Sequence, residues 1–486
     1  MRIELCVEAL DELVPEILAA SDTPGVSIAI GVDDEVVFAQ GYGYADLATG
    51  RPMAADTVGP IGSDSKTYTA AAVMQLVERG LIGLDDPVND HLDGWRIDNP
   101  WGAREITLRD LLTHRSGLGI TFGYSDLKPP RPLGEHLRRV FAEGRSDVYG
   151  GALTPLWSTP VGMQYQYTNT GLAIVGYLVE LLNPDRVPFH EWVRRHIFTP
   201  LGMTSSCFPP VQDSTYVPAG LLARRSTGYA TLAGYQFPLP AVHVADYPSG
   251  TALSTPSDHA RFVLATLGGG GPILRPDSAA QLISPQGTLG PDPLAAVGLV
   301  WNVFRYGEPD GYIGHGGEYF WGWSNFTRGW PGRRTALVVA ANQWHLADGG
   351  TSDRPSHLAG RLVADVVTAW VNGRDPRPRR DTAAAQSYLA GLLVADRLGI
   401  RFGVPVTVSD AEIDRIAGGT IVRPGTRWNA EAFQEALRDV RATDGTVGAV
   451  FELVRRKAPE HTQAFLQHLL GVPRLSQQAA PLDDGG

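Results

Sequence analysis

The β-prone stretches of this chain lie at two places far apart in sequence, with helical patterns between them, and that separation limits the folds open to it. Residues 26–30 and 36–39 are short apolar runs joined by an Asp33-Asp34 turn, which predicts a hairpin. Strand-forming sequence returns at 299–306, 323–327 and 335–341. Helices are predicted over 1–18, 108–112, 172–182, 355–371 and 64–79, the last with Ala72, Val73, Leu76 and Val77 on one face and Gly80 as its stop. Strands bracketing helices in this way predict an α+β fold, with one antiparallel sheet assembled from both chain ends. Residues 129–155 and 209–248, rich in Pro, Gly and aromatics, are expected to be long loops that shape a binding site.

Composition narrows the partners. The 486 residues are 43% hydrophobic and 19% charged, the balance of a folded protein, and 52 acidic against 41 basic residues leave a charge of −11. No Lys/Arg cluster of the kind that tracks phosphates occurs, so nucleic acid is not an expected partner. Cys6 and Cys207 lack any C-x-x-C spacing and read as free thiols. Acidic residues interrupt the first 17 positions and no stretch reaches membrane-span length, so the expected location is the cytoplasm, with no membrane partner. After Arg374 the run DPRPRR reads as a linker, and the spacing of Val447, Val450, Phe451 and Val454 predicts a small helical domain over 381–471. The expected division is a catalytic unit over 1–375 and a linker with a helical C-terminal domain over 376–486, the latter an assembly or lid module without a reactive cluster.

Several chemical patterns fail. His190-Glu191 with His196 has Arg194 where a second zinc ligand would share the helix face, Gly41-Tyr42-Gly43 lacks the third glycine of a dinucleotide loop, and no serine lies in G-x-S-x-G. No metal and no cofactor is expected. What survives is Ser63-Asp64-Ser65-Lys66, where serine and lysine fall one helical turn apart on one face. An amine beside a serine hydroxyl can take its proton if burial lowers its pKa, and a helix start offers N–H groups for an oxyanion. Taken alone, S-x-x-K is an N-cap with a surface lysine. Lysine, however, occurs only at 66, 128 and 457 while arginine supplies 38 of the 41 basic residues, which points to a need for a deprotonatable amine at 66. Two further signals are Tyr167-Thr168-Asn169, a phenol and an amide at a helix start, and His315-Gly316-Gly317, where glycines would let a strand edge approach a ligand.

In this order and spacing the three signals resemble the serine β-lactamase and penicillin-binding-protein superfamily, in the branch of class C β-lactamases, D-aminopeptidases and family VIII esterases. IGSDSKTYTAAAVMQLVERGLIGLDDPVNDHL, ITLRDLLTHRSGLG, YTNTGLAIVGYLVELL, FTPLGMTSS, SGTALSTPSDHARF and GHGGEYFWGWSNF each resemble a family segment, over about residues 5–372. The resemblance implies an antiparallel sheet flanked by helices beside an all-helical subdomain. It implies Ser63 as acylated nucleophile, Lys66 and Tyr167 as proton-transfer pair, Asn169 as a substrate-positioning amide, and His315 where many members carry Lys-Thr-Gly. The backbone N–H groups of Ser63 and Glu318, the latter following Gly316 and Gly317, would form the oxyanion hole. Tyr319, Phe320, Trp321 and Trp323 are bulkier than the residues common there and would either wall the acyl pocket or serve as ordinary core packing of a strand. The activity so implied is a serine hydrolase of an ester or amide. A transacylase or peptide cyclase, using a thioester on a carrier protein, and a non-catalytic binding protein are the alternatives. The implied partner is a small-molecule or peptidyl substrate, with a homo-oligomer also open.

Overall fold

Strand β1 (Gly25–Val32) is buried along almost its whole length, and the sheet is built outward from it. The computed structural model describes residues 3–376 apart from 22, 103, 120–123, 126–128, 144–155, 233–234, 240–241, 290–293, 320–321 and 346–354. Its main sheet adds β2 (Glu35–Asp46), β3 (Arg51–Pro52), β4 (Gly287–Thr288), β5 (Ala295–Val297), β6 (Asn302–Phe304), β7 (Tyr312–Tyr319), β8 (Trp323–Trp330) and β9 (Thr335–Ala341). The spatial order is β4-β5-β6-β7-β8-β9-β1-β2-β3, antiparallel throughout. Ile28 lies opposite Val339 and Ala29 opposite Ala39, so the sheet does join the two chain ends.

Alternation along β1 sorts its two faces by size. Val26, Ile28 and Ile30 pack with Leu337 and Val339 under α1 (Ile3–Ser21), through its Cys6, Ala9, Leu10 and Val14. Val363 and Val367 of the helix 355–371 complete that layer. Ala29 and Gly31 face the other way, and a Cβ on Gly31 would lie 2.5 Å from Leu264 Cδ1. The second layer holds α2 (Ser65–Glu78), α3 (Leu108–Leu112), α4 (Leu133–Ala142), α5 (Asn169–Leu182) and α6 (Pro256–Leu267), whose apolar faces merge into one large core.

Several expectations need correction. Residues 133–142 form α4 where a loop was expected: Leu133 and Leu137 supply a buried stripe, and the prolines that suggest a loop end at Pro132, the N-cap, where they do not interrupt helical bonds. The stretch 209–248 contains a helix at Ala219–Arg224 and a hairpin at Gly228–Leu232 and Tyr235–Leu239. Left-handed backbone at Val300 (φ 75°) and Arg305 (φ 51°) trims the strand expected at 299–306 to Asn302–Phe304. The helical domain expected over 381–471 lies outside the described residues.

Leu10 is fully buried between α1 and the sheet. Leu10→Ala should therefore lower unfolding free energy by about 2–5 kcal/mol, read from urea denaturation, while the layer containing α2 keeps its packing.

Candidate active site

Ser63 lies in a single 3₁₀ turn, Gly62–Asp64, that leads directly into α2, so it precedes the α-helix and does not cap it. Gly62 has φ 54°, and a Cβ there would lie 2.5 Å from the backbone of Glu318. Across the contact, a Cβ on Gly317 would fall 1.7 Å from the carbonyl oxygen of Ile61. Two glycines thus bring the serine turn against β7 backbone to backbone. β6 pairs with β7 only as far as Gly314, which leaves the side of residues 315–319 away from β8 for that turn. His315, Gly316 and Gly317 therefore stand mid-strand, where the sequence in isolation suggests a strand-end turn.

Lys66, the second residue of α2, is fully buried, and its Nζ lies 2.9 Å from Ser63 Oγ, 2.7 Å from Asn169 Oδ1 and 2.7 Å from the Ser249 carbonyl oxygen. The last two groups can only accept. A neutral amine has two N–H bonds, which those acceptors use, so its lone pair is left facing the Ser63 hydroxyl. Desolvation pushes the Lys66 pKa well below the usual lysine value, and the carboxylates of Asp246 and Asp64 oppose that shift. Asp246 also fixes both acceptors. Its carboxylate accepts from Thr170 Oγ1 at 2.9 Å beside Asn169 and meets His136 Nε2 at 2.9 Å, and its carbonyl accepts from Ser249 Oγ at 2.7 Å.

Tyr167 precedes Thr168, the N-cap of α5, whose side chain accepts from Gly171 N–H. The Tyr167 ring centroid is 4.9 Å from Lys66 Nζ, its hydroxyl bonds Ser63, and burial raises its pKa, so it is a phenol at neutral pH. Ser63, Lys66, Tyr167 and Asn169 are thus one constellation. His315 joins it from β7: Nδ1 donates to the Gly316 carbonyl at 2.8 Å and lies 3.4 Å from Asp64 Oδ1, leaving Nε2 for other contacts. Asp64 is itself fully buried, accepting from Thr327 Oγ1 at 3.0 Å, with His259 Nε2 at 4.0 Å.

The expected aromatic wall is revised. Tyr319 is buried, with its hydroxyl donating to the Val242 carbonyl, and Trp323 is buried with Nε1 donating to Ser226 Oγ at 2.9 Å. Their rings meet edge to face at 6.0 Å, so both are packing residues with satisfied polar groups. Phe320 and Trp321 lie outside the described residues.

The Beta-lactamase family model matches residues 10–361. The chain belongs to the beta-lactamase family. This beta-lactamase-family chain is 28% identical over 321 residues to the Unguisins hydrolase ungD' of Aspergillus campestris, covering 61% of this chain and 54% of that protein. It spans about half the length of the curated relatives it matches. Among solved structures it superposes on the octameric penicillin-binding protein homologue from Pyrococcus abyssi with a TM-score of 0.60 at 23% identity, covering 76% of this chain and 78% of that one. On the D-amino acid amidase from Ochrobactrum anthropi SV3 the TM-score is 0.57 at 24% identity, covering 74% and 99%.

Sequence reasoning missed Ser249, whose contact with Lys66 is made by a backbone carbonyl, a group every residue carries. It also missed the roles of Asp64, which stands inside the Ser63–Lys66 motif as an intervening residue, and of Asp246, His114 and His259, which are distant from that motif in sequence. Gly317→Ala would force β7 away from the serine turn. It should cost about 1–3 kcal/mol of stability and slow labelling of Ser63 by a fluorophosphonate at least about tenfold, measured by intact mass against time.

Proposed function

We propose that this protein is a serine acyl-enzyme hydrolase of an ester or amide, working through Ser63, Lys66 and Tyr167. The observation that carries the reading is the buried Lys66 amine, whose two obligatory acceptors leave its lone pair facing Ser63 Oγ. In this reading neutral Lys66 takes the Ser63 proton as Oγ attacks the substrate carbonyl carbon. The oxyanion is received by the N–H groups of Ser63 and Glu318, brought together where Gly62 and Gly317 let their backbones touch. The Tyr167 phenol passes a proton to the leaving group, whose bond to the acyl carbon breaks and leaves an ester on Ser63. Lys66 passes its proton to Tyr167; water then attacks that ester and gives a proton to Lys66, Tyr167 returns one to Ser63 Oγ as its bond to the acyl carbon breaks, and the acid product departs. Asn169 and His315 Nε2 hold the substrate's polar groups. The name of the Unguisins hydrolase supports a hydrolytic reaction.

No helix among the described residues is long and apolar enough to cross a membrane. Residues 376–486 are assigned to specificity or assembly.

Intact mass after a fluorophosphonate should show one adduct, on Ser63, absent from Ser63→Ala. Lys66→Arg retains charge but cannot deprotonate, so it should acylate at least about 100-fold more slowly with unchanged circular dichroism. Labelling elsewhere, or near-native rates for Lys66→Arg, would refute the reading.

The pH dependence follows from the active form being the neutral amine. Because burial lowers the Lys66 pKa, log(kcat/KM) should rise with pH through that lowered value and level off below the ordinary lysine pKa. A profile still rising at the ordinary lysine pKa would refute a base whose pKa burial has lowered.

A further inference from the structure

Helix α3 ends at its C-cap Thr113, and the next residue, His114, adopts φ 54°. His114 N–H bonds the Leu111 carbonyl at 3.2 Å and Arg115 N–H bonds the Asp110 carbonyl at 2.7 Å. These are the paired bonds of a Schellman terminus, whose left-handed position is ordinarily glycine because a Cβ is crowded there. A histidine in that position accepts steric strain, and strain of this kind persists where the side chain has work to do.

The surroundings of His114 identify that work. It is fully buried, and its carbonyl accepts the Gln166 N–H at 2.7 Å while its Nδ1 accepts the Thr168 N–H at 3.3 Å. Between those two bonds its ring lies against the Tyr167 ring, centroids 4.5 Å apart and planes 33° apart, and meets Tyr165 edge-on at 5.6 Å. Because Nδ1 accepts, the ring proton sits on Nε2, which has no hydrogen-bond partner among the described residues. An imidazolium would set an N–H at Nδ1 against the Thr168 N–H. Burial, and after it the nearby Lys66 and His315, push the His114 pKa well below the usual histidine value, which keeps the ring neutral.

We propose that His114 is a positioning residue for acyl transfer, gripping segment 165–168 through its carbonyl and Nδ1 so that the Tyr167 phenol stays beside Ser63 and Lys66. This rests on the function proposed above. The grip matters because Tyr167 reaches the leaving group only from its present place, and an error of about 1 Å in such a group is felt as a large rate loss.

The experiment measures Ser63 acylation by esters of graded leaving-group basicity in the full chain. His114→Gly restores the ordinary residue of the helix terminus but removes the imidazole, and His114→Asn tolerates positive φ while keeping an acceptor near the Nδ1 position. For an alkyl ester, His114→Gly should lose about 100-fold in kcat with KM little changed, and for a p-nitrophenyl ester, which leaves without a proton, only a few-fold. His114→Asn should recover to within about tenfold of the parent on the alkyl ester. In a Tyr167→Phe background neither substitution should lower the alkyl-ester rate further, since both act through the missing phenol. Equal losses for all leaving groups, no recovery in His114→Asn, or losses that add to that of Tyr167→Phe would overturn the proposal. If His114→Gly does not fold, the Asn variant and its Tyr167→Phe double still decide by additivity. A parent protein whose Ser63 is never acylated would instead overturn the proposed function.

Discussion

The rest of the site depends on an amine held out of water. Burying the Lys66 ammonium in this core is unfavourable, and no carboxylate forms a direct ion pair with it among the described residues; Asp64 and Asp246 act on it only through space. Neutralisation is the cheaper state in such surroundings. The protein then supplies two carbonyl-type acceptors for the two remaining N–H bonds, which sets the direction of the lone pair as well as its availability. Thr170, Ser249 and His136 serve that geometry by anchoring the acceptors to Asp246, an arrangement that joins α4, α5 and the turn at Tyr247–Ser249 around one nitrogen.

A second constraint is steric. The serine turn and β7 come from distant parts of the sequence, and their backbones meet with no side chain between them at Gly62 and Gly317. The shape of the junction beside Ser63 therefore rests on the absence of two Cβ atoms. Asp64, next to Ser63, strengthens the junction by reaching Thr327 on β8 and His315 on β7.

How much of this was legible in the sequence depended on whether a residue's role left a local pattern. The strands at 335–341 and the helix at 355–371 showed their period and are found with those bounds. Ser63, Lys66, Tyr167, Asn169 and His315 could be named because motif spacing and a resemblance carried them, and the structure gathers them in one place. Helix α4 was hidden because Pro129, Pro130 and Pro132 look like loop composition, although prolines before a first helical turn interrupt nothing. Tyr319 and Trp323 looked like pocket walls because sequence shows size and not the hydrogen bonds to Val242 and Ser226 that commit them to packing. Ser249 left no trace, since any residue has a carbonyl.

The placement of β1 between β2 and β9 has a consequence for how the molecule is made. On a ribosome, Val26 to Val32 emerge about 300 residues before Thr335 to Ala341, the partner that completes their pairing. Until then the early hairpin presents an open edge, and α1 has apolar residues but only half a surface to cover. Closure waits on one of the longest loops in the chain, which favours slow assembly from contacts distant in sequence. The nascent protein thus carries an adhesive strand for most of its synthesis, and conditions that delay elongation or crowd its neighbours should bear on yield more heavily than on the stability of the finished fold.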